Sequence, residues 1–270
     1  MANIGVCIEP FFTGLTRPER VRKIAALGFT KYEFWSPCAS LAGQGMIQAS
    51  KDFDLLGELN ARLGLEATGF LYSPGEEGNR AHPLKREDKN RFIDDFGAAA
   101  ALARKIRCGA FIVTSGTVIP EQSRDVSLLN LFDLLADLAR EAVKQGITLL
   151  LEPLNTKIDH RDAFLAEPQL ALDLVKAVNS PRLKLLYDIY HMQIMGGNIL
   201  AFVRDNLDYI GHFHLAGVPG RNEPYTGELD YARIVREITA MGYPGVFGLE
   251  YWAKEDGAAS LKKSLEYLSV

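Results

Sequence analysis

The sequence predicts a (β/α)₈ barrel, the TIM-barrel form of the α/β class. Eight short, apolar, β-rich runs alternate with eight longer amphipathic stretches, and this rhythm runs through all 270 residues without a linker or low-complexity break. Such alternation predicts a parallel sheet, and eight βα units in about 250 residues are the size of a closed barrel. A doubly wound open sheet would share the rhythm, but no Gly-x-Gly-x-x-Gly turn follows the first strand as a dinucleotide-binding version would require. Residues 1–270 are therefore read as one domain.

The elements follow in order. Ile4 to Ile8 is the first strand and Arg17 to Leu27 a helix with Ile24 and Leu27 inward, stopped by Gly28. Tyr32 to Trp35 is the second strand, Phe53 to Leu63 a helix ended by Gly64, and Leu65 to Leu71 the third strand. A polar loop from Ser73 to Arg86 precedes a long helix, Asp88 to Arg107, with Phe92, Phe96, Ala99 and Ala103 at three- and four-residue spacing. Phe111 to Thr114 is strand four, Leu128 to Lys144 a helix, Ile147 to Glu152 strand five, and Pro168 to Val178 a helix with proline in its first turn. Strands six, seven and eight are Leu183 to Asp188, Tyr209 to Leu215 and Val246 to Glu250. The remaining helices are Ile199 to Asn206, Tyr231 to Met241 and Ala259 to Leu268.

Composition narrows the function. A net charge of −4 offers no broad basic footprint, which argues against nucleic acid or an anionic membrane as partner. Apolar runs stay short of the ~18 residues of a membrane span, and the start does not read as a signal peptide. Cys7, Cys38 and Cys108 are widely spaced, with no Cys-x-x-Cys pair. They indicate neither a zinc knuckle nor a disulfide framework, and a reduced, cytoplasmic setting is expected.

Four strands end in residues that bind metals. Glu152, Asp188, His214 and Glu250 close strands five to eight at separations of 36, 26 and 36 residues, each about one βα unit. The C-terminal strand ends of such a barrel converge on the active site, so neighbouring strands bring all four side chains to one side of the mouth. A single acid there is commonly a cap for the next helix; four in succession point to a divalent ion, Mn²⁺, Mg²⁺, Co²⁺ or Zn²⁺. His212 and His214 face the same side of their strand. The one nearer the mouth, His214, is the expected ligand, and His212 is a buried or supporting group. His191, on the loop after Asp188, is placed to meet a substrate. Arg221 is a candidate clamp for an anion or hydroxyl, its alternative being a surface arginine. Glu9 at the end of strand one and Glu33, Phe34 and Trp35 on strand two are weaker candidates for the pocket, and His82 and His160 receive no role.

Three segments carry a resemblance: Glu152-Pro153-Leu154-Asn155-Thr156-Lys157, the run Asp188-Ile189-Tyr190-His191 on to Gly196-Gly197-Asn198, and Val218-Pro219-Gly220-Arg221-Asn222-Glu223-Pro224 with Gly227-Glu228-Leu229. From about Ile147 to Tyr251 the chain resembles the hydroxypyruvate isomerase family of the xylose-isomerase-like barrels, a group that also holds ketose 3-epimerases, inosose dehydratases and endonuclease IV. The resemblance implies a divalent metal held by Glu152, Asp188, Glu250 and the residue at position 214. Glu152 and Glu250 would be the catalytic acid/base pair, and His191 and Arg221 would position substrate oxygens. Members of that family commonly carry Gln where this chain has His214, and ketose 3-epimerases carry His.

The expected activity is isomerisation of hydroxypyruvate and tartronate semialdehyde by proton transfer next to a carbonyl. The alternative is a ketose 3-epimerase of the D-tagatose/D-psicose type. A cyclic-polyol dehydratase, an abasic-DNA endonuclease and a non-catalytic sugar-acid binder stand further off. The expected partner is a small hydroxy-carbonyl molecule, and assembly into a homo-oligomer is left open.

Overall fold

Eight parallel strands close on themselves in the order of the chain, each hydrogen-bonded to its sequence neighbours and β8 to β1. The computed structural model describes residues 2–35, 45–75 and 79–269; Cys38 and part of the polar loop after strand three lie outside them. The strands are β1 (Asn3–Cys7), β2 (Lys31–Phe34), β3 (Glu66–Leu71), β4 (Ala110–Thr114), β5 (Thr148–Glu152), β6 (Leu183–Asp188), β7 (Ile210–Leu215) and β8 (Val246–Leu249). The helices are α1 (Arg17–Ala26), α2 (Gly45–Leu63), α3 (Lys89–Lys105), α4 (Arg124–Gln145), α5 (Pro168–Val178), α6 (Ile189–Met195), α7 (Ile199–Asn206), α8 (Tyr231–Ala240) and α9 (Gly257–Leu268).

The strand period of two sorts the side chains into two layers. Phe34, Phe70, Phe111, Leu149, Leu185, Phe213 and Phe247 belong to the large core that also holds the inward helix residues. Its rings pack closely: Phe34 on Phe70 at 5.4 Å and Phe70 on Phe111 at 4.7 Å between centroids. The alternate positions Ile112, Leu150 and Leu186 form a separate apolar cluster. Two residues on from these three come Thr114, Glu152 and Asp188, so the chain places polar groups above an apolar plug at the C-terminal ends of the strands.

Strand bounds and helix ends shift by a residue or two, and the larger differences from the sequence reading lie at helix starts. α4 begins at Arg124 because Ser123 caps it, its hydroxyl accepting from Val126 N at 3.3 Å. α2 extends back to Gly45. The residues after Asp188 are not a loop: they turn at once into α6, because Asp188 Oδ1 accepts from Tyr190 N at 2.8 Å and from His191 N at 3.5 Å. Among the described residues no helix is long and apolar enough to cross a membrane.

Candidate functional site

Register brings the strand-end residues level. Asp188 pairs with His214, and His214 with Gly248 on the next strand. One ligand atom each from Glu152, Asp188, His214 and Glu250 lies within 4.8 Å of the others, and all four residues are buried. His214 Nδ1 stands 3.5 Å from Glu152 Oε1 and 3.4 Å from Glu250 Oε2. Asp188 divides its labour: Oδ1 caps α6, while Oδ2 is buried without a hydrogen-bond partner. Both ring nitrogens of His214 are likewise buried and make no hydrogen bond of ordinary geometry, although carboxylates approach each of them. Orphaned polar atoms of this kind are rare in folded proteins and call for an explanation. Three carboxylates and one imidazole around a common point fit a divalent cation of mixed oxygen and nitrogen preference.

Burial, only partly offset by Arg221 and His214, pushes the Asp188 carboxyl above its ordinary value. Burial acts the same way on Glu250, but Arg221 and then His214 outweigh it and hold Glu250 well below the usual carboxylate range. For His214 burial works downward, yet Glu33 and Glu250 carry it well above an ordinary imidazole.

His214 is held from behind by Glu33. Its Nε2 stands 3.1 Å from Glu33 Oε1, and His212 Nε2 stands 2.8 Å from Glu33 Oε2. Although burial would raise the Glu33 carboxyl, His212 and His214 hold it at about 2. Gly248 makes room for this carboxylate: a Cβ there would lie 1.9 Å from Glu33 Oε1. With Nε2 turned to a carboxylate, Nδ1 is the nitrogen left for the cluster, an arrangement common behind metal-binding histidines.

Glu152, His214 and Glu250 line a cavity of about 300 Å³, from which Asp188 is covered. One wall is apolar, with Leu71, Ile112 and Leu154; Trp35 and Trp252, both partly exposed, stand at its rim. Trp35 Nε1 donates to Glu250 Oε1 at 2.7 Å. His191 and Arg221 also line the cavity. His191 sits on α6 and is fully buried; burial first, and then Arg221, lower its imidazole to about 3, which keeps it neutral.

Arg221 is no surface residue. Its Nη2 donates to Glu250 Oε2 at 2.6 Å, and the guanidinium lies over the Tyr190 and Trp252 rings at 5.3 and 5.2 Å. Its loop is pinned to the segment after β8, since Trp252 N donates to Arg221 O at 2.9 Å and Asn222 Nδ2 to Trp252 O at 2.8 Å. Buried Glu223 adds two more ties, accepting from Lys254 N at 2.7 Å and Ser260 Oγ at 3.1 Å.

Two sequence readings need correction. Glu9 does not line the cavity: it stands 3.0 Å from Arg20 Nη1 and 3.5 Å from Arg17 Nη2. His160, given no role, lines the cavity edge-on to His191 at 5.4 Å. Asn155, Glu223 and the ties of Glu33 also escaped the reading of the chain. Glu33 and Glu223 find their partners in other βα units, and Asn155 reaches His191 in the next one; the motifs that hold Asn155 and Glu223 did not show those contacts.

The model of the xylose isomerase-like TIM-barrel family matches residues 21–269. The 2-oxo-tetronate isomerase of Pectobacterium atrosepticum is 30% identical, over 98% of this chain and 99% of its own. The hydroxypyruvate isomerase of Escherichia coli is 32% identical over 90% of each. Among solved structures, an AP endonuclease, family 2, from Brucella melitensis aligns with a TM-score of 0.87 at 26% identity, covering 99% of both chains. By sequence and by barrel, the chain belongs to the xylose isomerase-like TIM-barrel family, in the branch that includes the proteins named hydroxypyruvate isomerase and 2-oxo-tetronate isomerase.

Proposed function

We propose that the protein is a divalent-metal-dependent isomerase that interconverts a short hydroxy-keto acid and its aldehyde isomer, hydroxypyruvate and tartronate semialdehyde being the expected pair. The observation that carries this reading is the convergence of Glu152, Asp188, His214 and Glu250 within 4.8 Å, three of them lining a small cavity. These four would hold the metal, which when bound supplies a Lewis acid for the carbonyl and hydroxyl oxygens of the substrate.

The protein's own groups do the rest. Glu152 and Glu250 both approach His214 Nδ1 and are the proposed proton carriers. One carboxylate takes the proton from the carbon beside the carbonyl as that C–H bond breaks. The other, in its acid form, returns a proton to the neighbouring carbon, while the hydroxyl proton passes to the former carbonyl oxygen. Arg221 keeps Glu250 ionised and in place. It is also the lone arginine or lysine among the described residues lining the cavity, and its Nε is a buried donor without a partner. That leaves it a donor for the carboxylate of a keto acid. The apolar wall and the two tryptophans keep water from the reacting carbons.

A C3 epimerase of free ketoses is the second reading, favoured by histidine at position 214. The DNA-cleaving reading suggested by the name of the Brucella neighbour fits this chain less well, because its charge is −4 and its cavity holds only about 300 Å³. The test is a substrate panel after reconstitution with Mn²⁺, Mg²⁺, Co²⁺ or Zn²⁺: hydroxypyruvate, a four-carbon 2-oxo acid, tagatose, psicose, fructose and an abasic duplex. Turnover of the acids supports the proposal. Turnover confined to the ketohexoses replaces it with the epimerase, and strand cleavage with the nuclease.

A further inference from the structure

Asn155 is fully buried three residues beyond Glu152, and every hydrogen-bonding group of its side chain is engaged. Its Oδ1 accepts from two backbone donors, Ile158 N at 3.0 Å and Asp159 N at 3.1 Å. Its Nδ2 faces Asp159 Oδ2 at 2.6 Å and His191 Nδ1 at 2.6 Å. These four contacts fix which way the amide points. Turned over, it would set its NH₂ against two N–H donors and its oxygen against a carboxylate. Asp159 is an acceptor here: burial would raise its carboxyl, but the bonds from Asn155 and from Tyr190 OH, at 2.8 Å, hold it below its ordinary value.

The amide nitrogen therefore donates to His191 Nδ1, and a nitrogen that accepts carries no proton. An imidazolium, or the Nδ1–H tautomer, would place two donors head to head at 2.6 Å. We infer that Asn155 is a positioning residue that locks His191 as the neutral imidazole protonated on Nε2, so that it presents a hydrogen-bond donor and never a base to the candidate site. Nε2 points the right way for this role. It is buried, lacks a hydrogen-bond partner, and stands 3.4 Å from Asp188 Oδ2.

The consequence rests on the isomerase reading. An Nε2–H beside the cluster polarises a substrate oxygen as charge develops on it, a task suited to a neutral imidazole. It cannot accept the proton taken from carbon, which leaves that step to the carboxylates. The tautomer itself depends only on the hydrogen bonds.

The test is the nitrogen spectrum of the ¹⁵N-histidine-labelled protein with Mg²⁺ added, His191 being assigned from the signal lost in His191→Gln. The expected pattern is a pyridine-like Nδ1 and a pyrrole-like Nε2. The reverse pattern, an averaged mixture or two protonated nitrogens would overturn the inference. Asn155→Ala should convert the pattern to a mixture and lower kcat by about 10- to 100-fold with a smaller change in KM. An unchanged spectrum in that variant would remove Asn155 as the cause. If the variant does not fold, the spectrum of the unmodified protein decides alone. A protein with the expected spectrum that turns over no keto acid refutes the isomerase reading and leaves the tautomer standing.

Discussion

Gly248→Ala adds one methyl group at the point where Glu33 reaches across the barrel to His214. The new Cβ would lie 1.9 Å from Glu33 Oε1 and 3.0 Å from His214 Cδ2. Ordinary contact needs roughly 3.5 Å, so the carboxylate must retreat by roughly 1.5 Å. Glu33 is almost wholly buried between two histidines, and a shift of that size breaks its 3.1 Å approach to His214. Overpacking of this kind costs about 1–3 kcal/mol, a fall in Tm of roughly 2–10 °C for a chain of this size. Freed from Glu33, His214 should hold a metal about 10- to 100-fold more weakly, the usual effect of losing a supporting carboxylate. Thermal unfolding and calorimetric titration with Co²⁺ would measure both losses. Glu33→Gln should reproduce the weakened metal binding without the added volume. A Gly248→Ala protein with unchanged Tm and unchanged Co²⁺ affinity would refute the claim that Glu33 orients His214.

Two further outcomes follow from the site and a third from the buried cysteines. Glu152→Gln and Glu250→Gln should each reduce turnover by about 100-fold or more while circular dichroism stays unchanged; full activity in either would end the two-carboxylate mechanism. Arg221→Lys keeps the charge but loses the planar fork that lies between Tyr190 and Trp252 and bonds Glu250, so kcat/KM for a keto acid should fall about 10- to 100-fold, and an unaffected rate would deny Arg221 a part in binding. Burial pushes the Cys108 thiol up to about 12 and Cys7 well above its usual value. Both therefore stay protonated at pH 8, and the folded Cys38→Ser variant should not react with a thiol-specific disulfide reagent, rapid labelling being the contrary result.

The barrel was legible because its signal is repeated. Each strand is an apolar run, each helix an amphipathic one, and the rhythm recurs eight times. The four strand-end residues were legible for the same reason, since a rule about strand ends turns sequence spacing into neighbourhood. What escaped is held by contacts across the barrel. Glu33 sits on β2 and its histidines on β7, so nothing around Glu33 announces them. Asn155 and His191 lie on successive units and meet only because α6 starts directly at Asp188. Seven residues are too few to show a helical period, and one carboxylate serves as both strand end and helix cap, so this helix looks like loop in the sequence. Arg221 was recognisable as a candidate, but its engagement with Glu250 needed the fold of its loop.

The most direct test of the central claim is proton NMR of hydroxypyruvate in D₂O with the metal-loaded protein. The account predicts deuterium entering the carbon-bound position as the acid isomerises, loss of that exchange on chelation, its return with Mn²⁺, Mg²⁺, Co²⁺ or Zn²⁺, and its near absence in Glu152→Gln and Glu250→Gln. Exchange that survives chelation, or full exchange in either Gln variant, would contradict it. So would a metal-loaded protein that neither exchanges nor isomerises any short hydroxy-keto acid.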